Sequence, residues 1–220
     1  MSIYEHLEVL LPQGQHLRIV EIGAADGQDT ARLFATCKRK AQKVDFWCFE
    51  PDPRNFSRLH GRLGSLPVRV FNLAVGAQNG MAELFLSSGV SPWSGGEHTL
   101  SSSIRTPQDH LIHFPWCTFP ESTRVEVVTL DSFFAPRFPK IDFIWCDAQG
   151  AEGDIIAGGQ RLLARTRYFY FESSESDGLY EGQATREELL EKLDGWKVIE
   201  EYANDVLVEN SSWLDQNSDS

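Results

Sequence analysis

The chain is short of positive charge. Twenty Lys and Arg stand against 32 Asp and Glu in 220 residues, a formal net charge of −12 with His neutral. Nucleic-acid affinity rests on many Lys/Arg–phosphate contacts, and no basic stripe is present, so a polyanion is expected to be repelled. No segment approaches the roughly 18 apolar residues of a spanning helix. The start, "MSIYEHLEVLLPQG", carries Glu5 and Glu8 before a short apolar run and no basic residue, which is not how a signal peptide reads. The four cysteines, Cys37, Cys48, Cys117 and Cys146, form no CxxC pair. Three lie in or beside apolar segments, where Cys is usually a small core residue. Internal repeats are absent. These absences predict a reduced, cytoplasmic protein with no membrane or nucleic-acid partner and no structural zinc.

What is present reads as one globular domain. Five apolar runs recur: 17–23, 44–51, 68–76, 141–150 and 167–173. They are continuous rather than alternating, as strands buried on both faces of a parallel sheet are. Helix-like stretches at 28–41, 53–64 and 151–165 separate several of them, which predicts a doubly wound α/β sheet. Residues 80–87 and 124–130 read as further strands. The end, "GWKVIEEYANDVLVEN", reads as an antiparallel hairpin around an Asn-Asp turn. The single domain is expected over 1–210, with 211–220 a polar tail. The segment 88–123, rich in Ser, Pro, Gly and His, is expected to be a long inserted loop.

In such a sheet, ligands bind beyond the carboxyl ends of the strands. The first strand ends in "EIGAADG", where Gly23 and Gly27 permit a tight turn into a helix N-terminus. The second ends in Glu50-Pro51-Asp52, and an ionised carboxylate there suits both hydroxyls of a ribose. The pyrophosphate fingerprint G-x-G-x-x-G is incomplete, since Ala25 stands where its second glycine would be. Glu21 and Asp26 would place negative charge near any diphosphate. A ligand with a ribose, a positive centre and no phosphate meets both observations, and S-adenosylmethionine is one. A nicotinamide-dependent oxidoreductase shares the sheet and the ribose acid, with Glu50 lying 23 residues beyond Gly27. It remains a rival, as does a non-catalytic binding module.

Six pieces in order now resemble the FkbM family of methyltransferases, from about Val20 to Val208: "EIGAADG", "FEPDPRNFSRL", "NLAVGAQNGMAELFLS", "VVTLDSFF", "IDFIWCDAQGAEGDIIAGGQRLL" and "NDVLVEN". Trp145 stands where the family pattern usually has Lys, while Asp147 and Gly150-Ala151-Glu152 match. The resemblance implies a Rossmann-like class I methyltransferase sheet of seven mostly parallel strands, the C-terminal hairpin supplying its antiparallel strand. It also implies S-adenosylmethionine as cofactor and O-methylation of a hydroxyl on a small molecule, sugar or secondary metabolite.

The expected cofactor contacts are Glu21, Gly23, Ala24, Asp26, Gly27, Glu50, Pro51, Asp52, Leu73, Ala74, Ser102, Asp147 and Ala148. Glu21 is expected to face the methionine ammonium, as acids at that place in such methyltransferases do. Asp52 and Asn55 equally suit helix capping, and Leu73 and Ala74 suit packing. Asp147 is the expected catalytic acid on the acceptor side. Glu152 either serves its helix dipole or the site, and Glu172 is either a second cleft acid or a rim charge. His98 and His110 are candidate bases within 88–123, near His113, Trp93 and Trp116. That segment, with Gly95-Gly96 as hinge, is the expected lid over a small-molecule or glycan acceptor. The histidine spacings make no strong zinc signature and no metal site is expected, with a divalent ion on Asp147 and Glu172 or a histidine as the alternative.

Overall fold

A computed structural model describes residues 1–92, 95–173 and 178–213, except for the side chain of Leu111. The chain begins with α1 (Ile3–Leu10), started by a capping box between Ser2 and Glu5. Then come β1 (His16–Ile22), α2 (Gln28–Lys40), β2 (Lys43–Phe49), α3 (Pro53–Leu63) and β3 (Val68–Phe71). The middle holds β4 (Ala74–Val75), β5 (Gly80–Ser88), α4 (His110–His113), β6 (Thr118–Val128) and α5 (Leu130–Phe134). The remainder is β7 (Ile141–Cys146), α6 (Glu152–Gly158), α7 (Gln160–Leu163), β8 (Thr166–Glu172), α8 (Arg186–Glu191), β9 (Trp196–Glu201) and β10 (Asp205–Asn210).

Seven strands form one sheet in the order β3-β2-β1-β7-β8-β10-β9. The first five are parallel to their neighbours, and β10 runs antiparallel to both β8 and β9. The expected sheet and C-terminal hairpin are therefore present. Successive residues of each central strand enter opposite cores. Ile19, Phe143, Tyr168 and Leu207 pack with α1, α2 and α3, while Val20, Ile144, Phe169 and Val208 pack with α5, α6, α7 and α8. That two-sided burial is why the runs read as continuously apolar. Among the described residues no helix is long and apolar enough to cross a membrane.

Four expected elements differ. The run 68–76 is two strands, because Asn72 turns back to donate to the carbonyls of Glu50 and Pro51. Ala74 and Val75 then pair with β6 in a separate three-stranded sheet, β4-β6-β5. The helix expected over 151–165 breaks between α6 and α7. A Cβ at Gly158 would lie 2.2 Å from the Gly76 carbonyl, so the break admits the loop after β4. The loop expected over 88–123 ends early, since β6 starts at Thr118 and pairs along β5. Residues 211–213 form a 3-10 turn with Trp213 buried, so the tail starts no earlier than 214. Residues 214–220, like Trp93, lie outside the described residues.

Candidate functional site

The topology reverses between β1 and β7, and the turns that follow these strands meet there. Gly23, at φ 82°, leaves no room for a side chain against the Asp147 carbonyl. The Asp147 N–H donates to the Ile22 carbonyl, and the Gly23 and Ala24 N–H groups donate to Phe49. The carboxyl ends of β1, β2 and β7 are thereby tied together around a cavity of about 290 Å³.

Of the expected cofactor residues, Glu21, Gly23, Ala24, Asp26, Glu50, Pro51, Ala74, Ser102, Asp147 and Ala148 line this cavity. Gly27, Asp52 and Leu73 do not. Gly27 lies against Leu59, where a Cβ would come 2.5 Å from Cδ1, so its service is to let α2 approach α3. Asp52 is fully buried, caps α3 through the Arg54 N–H and accepts from Ser102 Oγ at 2.8 Å. Leu73 packs in the core beneath β4.

Glu50 is buried, and both its oxygens face backbone donors, Ala25 N–H at 2.7 Å and Asp52 N–H at 2.8 Å. Ala25 reaches it by adopting φ 48°, a strained conformation for a residue with a side chain. Burial pushes the Glu50 carboxyl up to about 8 against the pull of these hydrogen bonds. Glu21 is likewise pushed up to about 8 by burial. The Cys48 thiol donates to it at 3.6 Å. Asp29, held by Tyr4 Oη at 2.6 Å, completes a lining with five carboxylates: Glu21, Asp26, Asp29, Glu50 and Asp147. Among the described residues the lining holds no Lys, Arg or His. Trp145, paired in register with Glu21, also lines it.

A second cavity of about 450 Å³ adjoins the first. Leu100, Asp147 and Gln149 line both. The second holds His98, His110, His113, Trp116 and Glu172, so the expected acceptor-side residues do converge. Gln149 links them, its Nε2 donating to Asp147 at 2.7 Å and to Glu172 at 2.9 Å. Tyr180 Oη lies 3.0 Å from Gln149 Oε1 and 2.8 Å from His110 Nε2, and donates to the Ser101 carbonyl at 2.7 Å. His110 is buried, which lowers its pKa to about 4, and its Nδ1 has no partner among the described residues. His98 Nε2 faces Ser101 Oγ at 2.8 Å, and burial lowers its pKa too. Glu152 is buried below the turn and accepts from the Ala148 N–H, so it holds the Asp147–Gly150 loop. No cluster of three or more metal-ligating side chains is arranged to hold an ion among the described residues.

The inserted segment is bound to both cavities. Asn55 of α3 donates to the Thr99 carbonyl and accepts from Thr99 Oγ1, and Ser103 Oγ donates to the Gln149 carbonyl. Thr99, Leu100, Ser102, Ser103 and Ile104 form one wall of the first cavity. Sequence reasoning missed Asp29, Thr99 and Tyr180. An acid in the first turn after Gly27 was a readable signal for Asp29. Tyr180, 31 residues from Gln149, carried none.

Residues 21–204 match the family described as Methyltransferase FkbM domain. Over 199 residues the chain is 38% identical to the 2-O-methyltransferase NoeI of Sinorhizobium fredii (strain NBRC 101917 / NGR234), covering 88% of this chain and 79% of that protein. Its fold is similar to the crystal structure of Methyltransferase FkbM from Methylobacillus flagellatus KT. The TM-score is 0.55 at 15% identity, over 91% of this chain and 45% of that one. The CMeT domain of the citrinin polyketide synthase is also similar, with TM-score 0.52 and 14% identity over 94% of this chain and 50% of the other. The chain thus spans about half the length of these two structures, and at such identities the likeness is one of fold.

Proposed function

This chain belongs to the FkbM family of methyltransferases, and we propose that it moves the methyl group of S-adenosylmethionine onto a hydroxyl of a small molecule or glycan. One observation carries the donor assignment: the first cavity is lined by five carboxylates and, among the described residues, by no basic side chain. Asp26 is already paired with Arg62 from outside the lining, and Glu21 and Glu50 hold their protons near neutral pH. An ammonium or a sulfonium placed there favours release of those protons and is then held by the ionised acids. A dinucleotide would bring its diphosphate against these acids with no cation to meet it, which disfavours the oxidoreductase reading.

The residues present fit the donor. An ionised carboxylate offers about four acceptor sites, and backbone N–H groups take one on each Glu50 oxygen. One site per oxygen remains for a ribose diol. Gly23 and Ala24 bring backbone to the cavity floor, and Glu21 and Asp29 supply carboxyl oxygens for the ammonium, Glu21 losing its proton as the cation binds. Bound S-adenosylmethionine supplies an electrophilic methyl on a sulfur that departs with its electron pair, so no covalent enzyme intermediate is required. The chain's part is alignment, exclusion of water by Leu84, Leu100 and Trp145, and removal of the hydroxyl proton.

Support for a hydroxyl acceptor comes from the name of the 38% identical relative. The second cavity mixes aromatic faces, Phe114 and Trp116, with the amides of Gln149, Gln183 and Asn204, a lining suited to a polyhydroxylated molecule. We place the protein in the cytoplasm, a reading supported by four free, buried cysteines. Calorimetric titration with S-adenosylmethionine, S-adenosylhomocysteine and NAD tests the donor, and binding of NAD alone overturns it. A screen of hydroxylated acceptors with isotope-labelled methyl donor, read by mass, tests the transfer.

A further inference from the structure

We propose that Asp147 and Glu172, bridged by Gln149, act as one proton-holding unit that takes the acceptor's hydroxyl proton and is armed by the positive charge of the donor. The proposal rests on the methyl-transfer reading above.

The geometry starts from where the cavities touch. Methyl transfer requires the two reactants to meet, and the cavities share only Leu100, Asp147 and Gln149 among the described residues. The transferring carbon therefore passes beside Asp147. Glu172 lines the acceptor cavity alone. Gln149 spends both amide hydrogens on the two acids, and its oxygen lies 3.0 Å from Tyr180 Oη, whose one hydrogen is shared between it and the nearer Ser101 carbonyl. Gln149 also sits at φ 51°, strained for a non-glycine residue, so the bridge is imposed by the turn.

The histidines are less suited to the task. His110 Nε2 faces Tyr180 and His98 Nε2 faces Ser101, and burial keeps both rings neutral and weakly basic.

The two acids sit among further negative charge. Glu152 of α6, Asp205 of β10 and Asp29 of α2 all raise one or the other, Glu50 lies across the cavity, and Tyr180 is the neutral group above. Burial pushes both acids upward. The charge of Asp147 raises Glu172 further, while Asp147 is stabilised as the hydrogen-bond acceptor from Gln149 and Glu172, so the bridged pair retains one proton, held on the Glu172 side. A sulfonium at the junction offsets the repulsion and favours loss of that proton. In the transfer step the acceptor oxygen forms the O–CH3 bond as the S–CH3 bond breaks. The breaking pair stays on sulfur and the hydroxyl proton passes to the carboxyl pair. The resulting thioether is neutral, so the pair keeps the proton it has taken.

Isothermal titration in two buffers of different ionisation enthalpy counts the protons released by each ligand. S-adenosylmethionine and S-adenosylhomocysteine share the adenosine, ammonium and carboxylate, so the difference between them isolates the sulfonium. Near neutral pH the intact protein is expected to release more protons with S-adenosylmethionine. Glu172→Gln, which keeps the shape and lies outside the first cavity, is expected to lose most of that excess while binding S-adenosylhomocysteine within a few-fold. Equal release in the unaltered protein overturns the proposal whether or not the variant folds. An undiminished excess in Glu172→Gln also overturns it and traces the proton to another acid, such as Glu50. Failure to bind either ligand sinks the methyl-transfer reading instead, a distinct result.

Discussion

A side-chain carbon on Gly23 would lie 1.7 Å from the main-chain oxygen of Asp147. Two turns from distant parts of the sequence are in backbone contact, and the cavity floor exists because they are. Gly23→Ala is expected to destabilise the protein by about 2–4 kcal/mol, combining the strain of φ 82° with the clash, and to abolish S-adenosylhomocysteine binding. Urea denaturation and calorimetry check both. A variant of normal stability and affinity would show that the strand ends can part freely.

Glu50→Ala is expected to weaken S-adenosylhomocysteine binding by about 1.5–3 kcal/mol, the range for hydrogen bonds to a charged group. It also strands the N–H groups of Ala25 and Asp52, so a lower melting temperature should accompany the loss. An unchanged dissociation constant would remove Glu50 from the ribose role.

The free protein should respond to pH through Glu21 and Glu50, both raised from 4.5 to about 8. Between those values the folded state holds more protons than the unfolded one. Their contribution to stability is therefore complete below 4.5 and is lost as pH rises through about 8. Ligand affinity runs the other way, since the ionised carboxylates attract the ammonium and accept from the diol. S-adenosylhomocysteine should bind progressively more tightly from about pH 6 to about pH 8 and level off above. Affinity that is flat over this window, measured by calorimetry, would contradict the assignment.

The inserted segment is expected to act as a wall of the donor cavity. Asn55→Ala removes its bonds to the Thr99 carbonyl and hydroxyl and should weaken S-adenosylhomocysteine binding by about 1–2 kcal/mol. Deletion of 99–104 should abolish donor binding together with turnover. A lid separable from the pocket, the reading its length invites, would instead lose turnover and keep affinity.

The sheet was legible because its central strands, β1, β7 and β8, are buried on both faces and leave unbroken apolar runs. The same signal misled at 68–76, where apolarity continues through Leu73 although the hydrogen bonding passes to another sheet. Helix α1 was not among the expected helices, although Ser2 and Glu5 carry a readable capping signature for it. In the site, Glu50 was readable from its place after a strand. Gly27 and Asp52 occupy equally suggestive places yet serve helix contact and capping. Local sequence fixes the turn but not which side faces the ligand. Tyr180 and the Gln149 bridge depend on packing between segments distant in sequence, and no local pattern encodes that.

The narrow border between the two cavities has a practical consequence. Only Leu100, Asp147 and Gln149, among the described residues, line both sides of it. A single molecule joining an adenosine-bearing end to a polyol through a short tether would occupy both chambers at once. Its tether would replace the methyl bridge and run beside Asp147. Joining the halves makes the second contact intramolecular, so two weak ligands become a strong inhibitor if the tether matches the span. An amine in the tether, cationic like the sulfonium, would gain further from the surrounding acids. Tether length then becomes a ruler for the gap across which the methyl travels.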